Sequence, residues 1–235
     1  MNKIIGVVPA AQLFENNDAH DDTYNFVNNY CLRIIKNGGL PVGILPSDGL
    51  ILEESIQFCD AILICGGRKI FPYHFQAVEY ALKNNKKLLG ICLGMQIINT
   101  YFIVEDEAKK RDFKGKLIDL YEIMKKEKYM FTLPVEHHWD VHVYRDNIEE
   151  AKHKVQILDN TKLQKIVNTN SIMAATMHNY KVNNVSPRLT ISAYTEDGTV
   201  EALEYGDKVL GIQFHPEVDD KLNEFFEFLI DWNSL

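Results

Sequence analysis

Residues 87–102 read KLLGICLGMQIINTYF, and this stretch decides the fold. An apolar, strand-like run, KLLGIC (87–92), passes directly into LGMQIINTYF (93–102), whose apolar residues recur at helical spacing. At the junction stands Gly90-Ile91-Cys92-Leu93-Gly94, which has the form G-x-nucleophile-x-G. Glycines permit a tight strand-to-helix turn with the nucleophile at its apex. An apex cysteine meets a helix N-terminus, whose partial positive charge favours an anionic sulfur. Free cysteines more often serve as small buried hydrophobes. Two flanking glycines at a strand–helix junction favour the nucleophile here.

Working outward, the first 103 residues alternate short apolar runs with helical periods. KIIGVV (3–8) is predicted as a strand, and helical spacing runs from about Asp21 to Asn37, closed by Gly38-Gly39. PVGILP (41–46) and CDAILICGG (59–67) are further strands, the latter ending in a glycine pair, and residues 72–84 read as a helix. Buried runs alternating with helices predict a parallel sheet with helices on both faces. Residues 105–130 are charged and mixed, and their periodicity assigns no element. Beyond Arg188, LTISAYT (189–195), VEALEYG (200–206) and KVLGIQF (208–214) are separated by EDG and GD turns, which suggests antiparallel strands. A helix from about Asp219 to Trp232 closes the chain. The expected fold class is therefore α/β, three-layered, with a mostly parallel sheet and an antiparallel extension near the C-terminus. No linker, repeat or low-complexity tract divides it, so one domain over residues 1–235 is expected.

Composition narrows the function classes. The 235 residues are 46% apolar and 25% charged, with net charge −8. That apolar share excludes disorder, and the acidic balance lacks the basic footprint of a nucleic-acid binder or a membrane-surface anchor. The start, MNKIIGVVPAAQ, is too short an apolar run for a signal h-region, and no stretch approaches the ~18 apolar residues that span a bilayer. Cysteines at 31, 59, 65 and 92 show no CxxC spacing, which fits a reducing cytoplasm. Cys31 and Cys59 read as packing residues, and Cys65 as core lining beside the site. His137-His138-x3-His142 lacks a neighbouring carboxylate cluster, so no metal is expected. Asp18–Asp22 reads as a capped helix start, and KKEK (125–128) as a solvated face. Neither GxxxxGK[ST] nor GxGxxG is present to suggest a nucleotide.

A thiolate nucleophile needs a general base, usually a histidine oriented by a third group. Gly211-Ile212-Gln213-Phe214-His215-Pro216-Glu217 supplies one: His215 follows an apolar strand, and Glu217 lies two residues on, across a stiffening proline. That spacing lets the carboxylate turn back toward the imidazole. H-P-E alone is weak, but paired with the elbow it is a strong signal.

GICLGMQ (90–96) followed far downstream by GIQFHPE (211–217) resembles the class I glutamine amidotransferase superfamily. The resemblance implies Cys92 as nucleophile, His215 as general base and acid, and Glu217 as its orienter. It also implies that Gln96 contacts the glutamyl group and that the amides of Gly67 and Leu93 form the oxyanion hole. Such donors are worth ~3–4 kcal/mol each in the barrier. Within the superfamily the chain is most similar to the γ-glutamyl hydrolase-like branch (peptidase C26), which includes γ-glutamyl-GABA hydrolases. GGRKIFP (66–72) resembles that branch's G-G-x-D-x-x-P. The run ISAYTEDGTVEALEYGDKVLGIQFHPE resembles its antiparallel segment and triad end. MHNYKV (177–182) sits where the branch has a substrate loop, which carries over His178, Asn179 and Tyr180 as substrate-binding residues.

The chain also departs from the branch. Lys69 replaces an aspartate, Leu93 replaces an arginine, the stretch between Pro72 and the helix is shortened, and AATMHN lacks the Asn-Ser before the branch's histidine pair and keeps one histidine. These differences bear on the leaving group. The expected function is hydrolysis of a small γ-glutamyl amide, such as γ-glutamyl-GABA, through a thioester, without metal or organic cofactor. Its expected partner is that small molecule, with no nucleic acid and no membrane; a homodimer is left open. The alternatives are a glutaminase subunit feeding ammonia to a separate synthetase, and a binding protein that has lost catalysis.

Overall fold

The computed structural model describes residues 2–13, 22–135 and 147–230. His137, His138, His142 and most of Asp18–Asp22 lie outside the described residues. The first half runs β1 (Ile4–Val8), β2 (Ala10–Gln12), β3 (Thr23–Asn25), α1 (Asn28–Lys36), β4 (Leu40–Gly43), β5 (Ala61–Ile64), α2 (Pro72–Lys83), β6 (Lys87–Ile91), α3 (Leu93–Lys110) and α4 (Leu117–Lys126). There follow β7 (Thr132–Pro134), β8 (Lys152–Ile157), α5 (Lys162–Val167), β9 (Ser171–Ala175), β10 (Tyr180–Val182), β11 (Thr190–Tyr194), β12 (Val200–Tyr205), β13 (Val209–Ile212) and α6 (Glu224–Ile230).

Among the described residues, nine strands form one sheet in the order β4-β1-β5-β6-β13-β12-β11-β8-β9. From β4 to β13 every neighbour is parallel. From β13 to β9 every neighbour is antiparallel. β13 thus belongs to both halves, which is why its C-terminal end can deliver His215 beside the end of β6.

Side-chain alternation explains the three layers. Ile62 and Ile64 of β5 join one core with Tyr73 and Val78 of α2, Ile98 and Phe102 of α3 and Leu120 of α4. Their neighbours Ala61 and Leu63 point the other way, into a core shared with Tyr30 and Ile34 of α1, Leu163 of α5 and Phe225 and Phe226 of α6. Strands buried on both faces read as continuous apolar runs, and the sequence shows that pattern.

Three boundaries correct the sequence reading. The helix expected from Asp21 begins at Asn28, because Thr23–Asn25 pairs antiparallel with Ala10–Gln12. The closing helix begins at Glu224, not Asp219: Pro216–Val218 forms a 3₁₀ turn, and the Asp219 carboxylate accepts the N–H of Lys221 at 3.0 Å. The stretch without an assignment contains the last third of α3, which runs to Lys110, and all of α4.

Candidate active site

The elbow is built by close backbone approach. A Cβ on Gly90 would lie 2.5 Å from the backbone of Gly94, and one on Gly94 would lie 2.4 Å from the Ile64 oxygen. Neither position admits a side chain, so α3 is pressed directly onto β5 and β6. Cys92, at the turn between β6 and α3, adopts φ 54 and ψ −107. An L-residue rarely occupies that region, and such strain clusters at functional positions. Its N–H donates to the Ile212 oxygen at 2.8 Å, which ties the elbow to the end of β13.

His215 follows β13, and its N–H donates to the Ala175 oxygen at 2.9 Å. Its Nδ1 lies 2.6 Å from Glu217 Oε1, and both side chains are buried. Burial opposes protonation of this imidazole, but the Glu217 carboxylate and the Cys92 sulfur outweigh it and raise its pKa well above the usual histidine value. Nε2 is also buried, and the imidazole interacts with the Cys92 sulfur as well as with Glu217. Glu217 is held from outside: Arg33 Nε of α1 donates to its backbone oxygen at 3.0 Å, and the Arg33 guanidinium pairs with Asp220.

Gly66 is the point on which these groups converge. A Cβ there would lie 3.2 Å from His215 Cε1, 3.2 Å from the Tyr30 hydroxyl oxygen and 3.4 Å from Cys92 Cβ. Gly67 is exposed beside it, and a Cβ at Gly67 would lie 3.0 Å from Leu93 Cδ2. Leu93 opens α3, where the amides of the first turn have no intrahelical acceptor. Gly66, Gly67, Cys92, Leu93, His215 and Glu217 therefore share one locality.

The side facing the 176–180 loop is organised differently. Gln96 Nε2 donates to the Tyr180 oxygen at 2.9 Å and to Gln213 Oε1 at 3.0 Å, so its amide group braces this loop against the elbow helix. Asn179 and Tyr180 are exposed, whereas the His178 side chain is buried. Both nitrogens of His178 face oxygens: Nδ1 lies 3.2 Å from the Tyr180 oxygen and Nε2 lies 3.3 Å from Glu201 Oε1. His178 thus supports the loop from behind, and the groups it exposes toward solvent are those of Asn179 and Tyr180.

Sequence reasoning missed three residues here. Glu201 is fully buried between His178 and His153, whose Nε2 lies 3.6 Å from its Oε2. Burial would raise the Glu201 carboxyl, but the two histidines more than offset it and hold it below its usual range. A glutamate inside the strand pattern VEALEY was the available signal. His74 is fully buried, with Nδ1 accepting the Phe71 N–H at 3.0 Å and Nε2 facing the Pro9 oxygen at 3.2 Å. Burial lowers its pKa to about 3. Tyr30 left no sequence signal beyond an aromatic on a helix face.

A thiol, an imidazole and a carboxylate so ordered form an arrangement competent for acyl transfer. Among the described residues, no three His, Cys, Asp or Glu side chains are grouped to hold a metal ion. No helix among them is long and apolar enough to cross a membrane.

The family model for glutamine amidotransferase class-I matches residues 19–232. The chain belongs to the class I glutamine amidotransferase family. A glutamine amidotransferase-like protein of Rickettsia prowazekii is 29% identical, across 91% of this chain and 90% of that protein. A CTP synthase of Thermosipho africanus is 28% identical, across 76% of this chain but 36% of the synthase. The solved glutaminase domain of the Trypanosoma brucei CTP synthase, with bound acivicin, shares the fold, with a TM-score of 0.62 at 19% identity over 97% of this chain and 92% of that domain. The α/β architecture with its mixed sheet is that of class I glutamine amidotransferases.

Proposed function

We propose that this class I glutamine amidotransferase-like chain is a cysteine-dependent hydrolase of small γ-glutamyl amides. The observation that carries the reading is the convergence of Cys92, His215 and the oxyanion loop on Gly66, with Glu217 bonded to His215 behind it. Cys92 Sγ attacks the γ-carbonyl carbon, and the carbonyl electron pair moves onto oxygen, which the amides of Gly67 and Leu93 receive. As the tetrahedral centre collapses, the C–N bond breaks and His215 Nε2 gives its proton to the departing amine. Water then attacks the γ-glutamyl thioester, with His215 taking its proton, and glutamate leaves with the Cys92 thiol restored. Gln96 and the loop carrying His178, Asn179 and Tyr180 hold the glutamyl half.

The γ-glutamyl hydrolase-like branch is supported by GGRKIFP and by the long run ending in HPE. Arg68 and Lys69 lie exposed beside Gly67, which favours an acidic leaving group such as γ-aminobutyrate. The reaction requires a small molecule in the cytoplasm and neither cofactor nor nucleic acid. A glutaminase subunit is the second reading, favoured by the likeness to CTP synthases, of which this chain spans about a third in the Thermosipho case. Assaying glutamate release by the chain alone, from γ-glutamyl amines, γ-glutamyl dipeptides, polyglutamates and glutamine, tests both. Turnover of γ-glutamyl amines without a partner supports the hydrolase. Turnover of glutamine only, rising when a synthetase is added, overturns it.

A further inference from the structure

Tyr30 sits on α1, is 2% exposed, and accepts the N–H of Gly66 through its hydroxyl oxygen at 3.1 Å. A buried tyrosine hydroxyl needs a partner, and this one is a backbone amide of the loop that precedes Gly67. Burial, then Glu217 and Cys65, push the Tyr30 phenol well above its usual range, so the hydroxyl keeps its proton at neutral pH. One turn further along α1, on the same helix face, Arg33 Nε donates to the Glu217 oxygen at 3.0 Å. A single helix therefore holds both segments that flank Cys92. It grips the glycine loop through Tyr30 and the 3₁₀ turn carrying Glu217 through Arg33.

We propose that Tyr30 is a positioning residue: it anchors the Cys65–Gly66 peptide, the fixed base from which the next peptide presents the Gly67 amide to the substrate oxygen. This rests on the hydrolase reading above. The two glycines leave the loop no side chain to hold it, and a loop free to shift at its base would misplace the oxyanion donor. Tyr30 supplies the lock from the layer beneath. The hydroxyl bonds the Gly66 amide, whereas the Glu217 carboxylate and the Cys92 sulfur act on it through charge.

Tyr30→Phe keeps the ring and removes the acceptor. For hydrolysis of the best γ-glutamyl amide, kcat is expected to fall about ten- to hundred-fold, as displaced donors do, with KM within about three-fold. Alkylation of Cys92 by iodoacetamide is expected within about two-fold of wild type, because the cysteine and its base are untouched. A core-filling role would lower the melting temperature and leave kcat per folded molecule unchanged. That result overturns the proposal, as does loss of Cys92 alkylation in parallel with kcat. An inert wild-type chain with an unreactive Cys92 overturns the hydrolase reading and this proposal with it. If Tyr30→Phe does not fold, site-specific 3,5-difluorotyrosine at position 30 keeps the shape and weakens the acceptor. A two- to five-fold lower kcat then supports the proposal, and an unchanged kcat overturns it.

Discussion

Gly90 of β6 lies opposite Gly211 of β13 in the parallel register, and α3 rests on both. A Cβ at Gly90 would meet the Gly94 backbone at 2.5 Å, and one at Gly211 would meet Met95 Cγ at 2.8 Å. The two motifs of the candidate site, far apart in the chain, are thus adjacent strands under one helix. Cys92 rises from one strand and His215 from the other.

Gly94→Ala should therefore disrupt the fold itself. Its methyl would sit 2.4 Å from the Ile64 oxygen, against backbone that has no rotamer to change. The expected cost is ~3 kcal/mol or more, beyond ordinary overpacking. Chemical denaturation of the variant measures it, and a loss below ~1 kcal/mol would contradict the packing described.

Cys92→Ala is expected to abolish hydrolysis while the protein stays folded, since removing a covalent nucleophile costs orders of magnitude in rate. Retention of a tenth of wild-type turnover would rule out the thioester route. Cys92→Gly, equally inactive, should be at least as stable as Cys92→Ala. Glycine ordinarily loses up to ~1 kcal/mol to backbone entropy, but at φ 54 it relieves strain of ~1–3 kcal/mol. Melting temperatures of the two variants decide between them.

Labelling should single out the same residue. Burial raises the thiols of Cys31, Cys59 and Cys65, that of Cys59 to about 11, so none of these is thiolate near neutrality. Limited alkylation at pH 7 followed by peptide mapping is expected to find Cys92 modified first. Predominant modification elsewhere would remove the case for an activated thiol.

His74 should make the fold sensitive to acid. Its pKa in the folded protein is about 3, below the ordinary histidine value, so the unfolded chain binds more protons between those two pH values. Stability present at neutral pH is then lost as pH falls below ~6.5, with a limiting slope of ~1.4 kcal/mol per pH unit. Protonation would set a second N–H against the Phe71 amide that Nδ1 now accepts. Urea unfolding from pH 7 to 4 should show a flatter dependence for His74→Gln than for wild type, and equal slopes would refute the assignment.

Substrate choice tests the rim. With Arg68 and Lys69 exposed beside Gly67, kcat/KM for γ-glutamyl-γ-aminobutyrate should exceed that for a γ-glutamyl diamine several-fold. The gap should narrow at high salt, because exposed charges are screened. Lys69→Asp should shrink or reverse the preference. A wild-type preference for the diamine would show that other residues read the leaving group.

What the amino-acid sequence determined alone was local. Gly90-Ile91-Cys92-Leu93-Gly94 needs no partner to declare a tight strand-to-helix turn, because glycine spacing and the switch of apolar period lie within a few residues. The continuous apolar runs of β1, β5 and β6 likewise declare strands buried on both faces. The tertiary structure decided whatever depended on distant neighbours. Thr23–Asn25 became a strand because Ala10–Gln12 was there to pair with it, and α3 reached Lys110 because α4 packs along it. Glu201 can be buried only because His178 and His153 come to it from other strands and loops, and Tyr30 meets Gly66 only when α1 crosses beneath the β5 loop. Periodicity records which face of an element is covered. It carries no information on which polar group waits on the other side, since that contact is made across the fold and not along the chain.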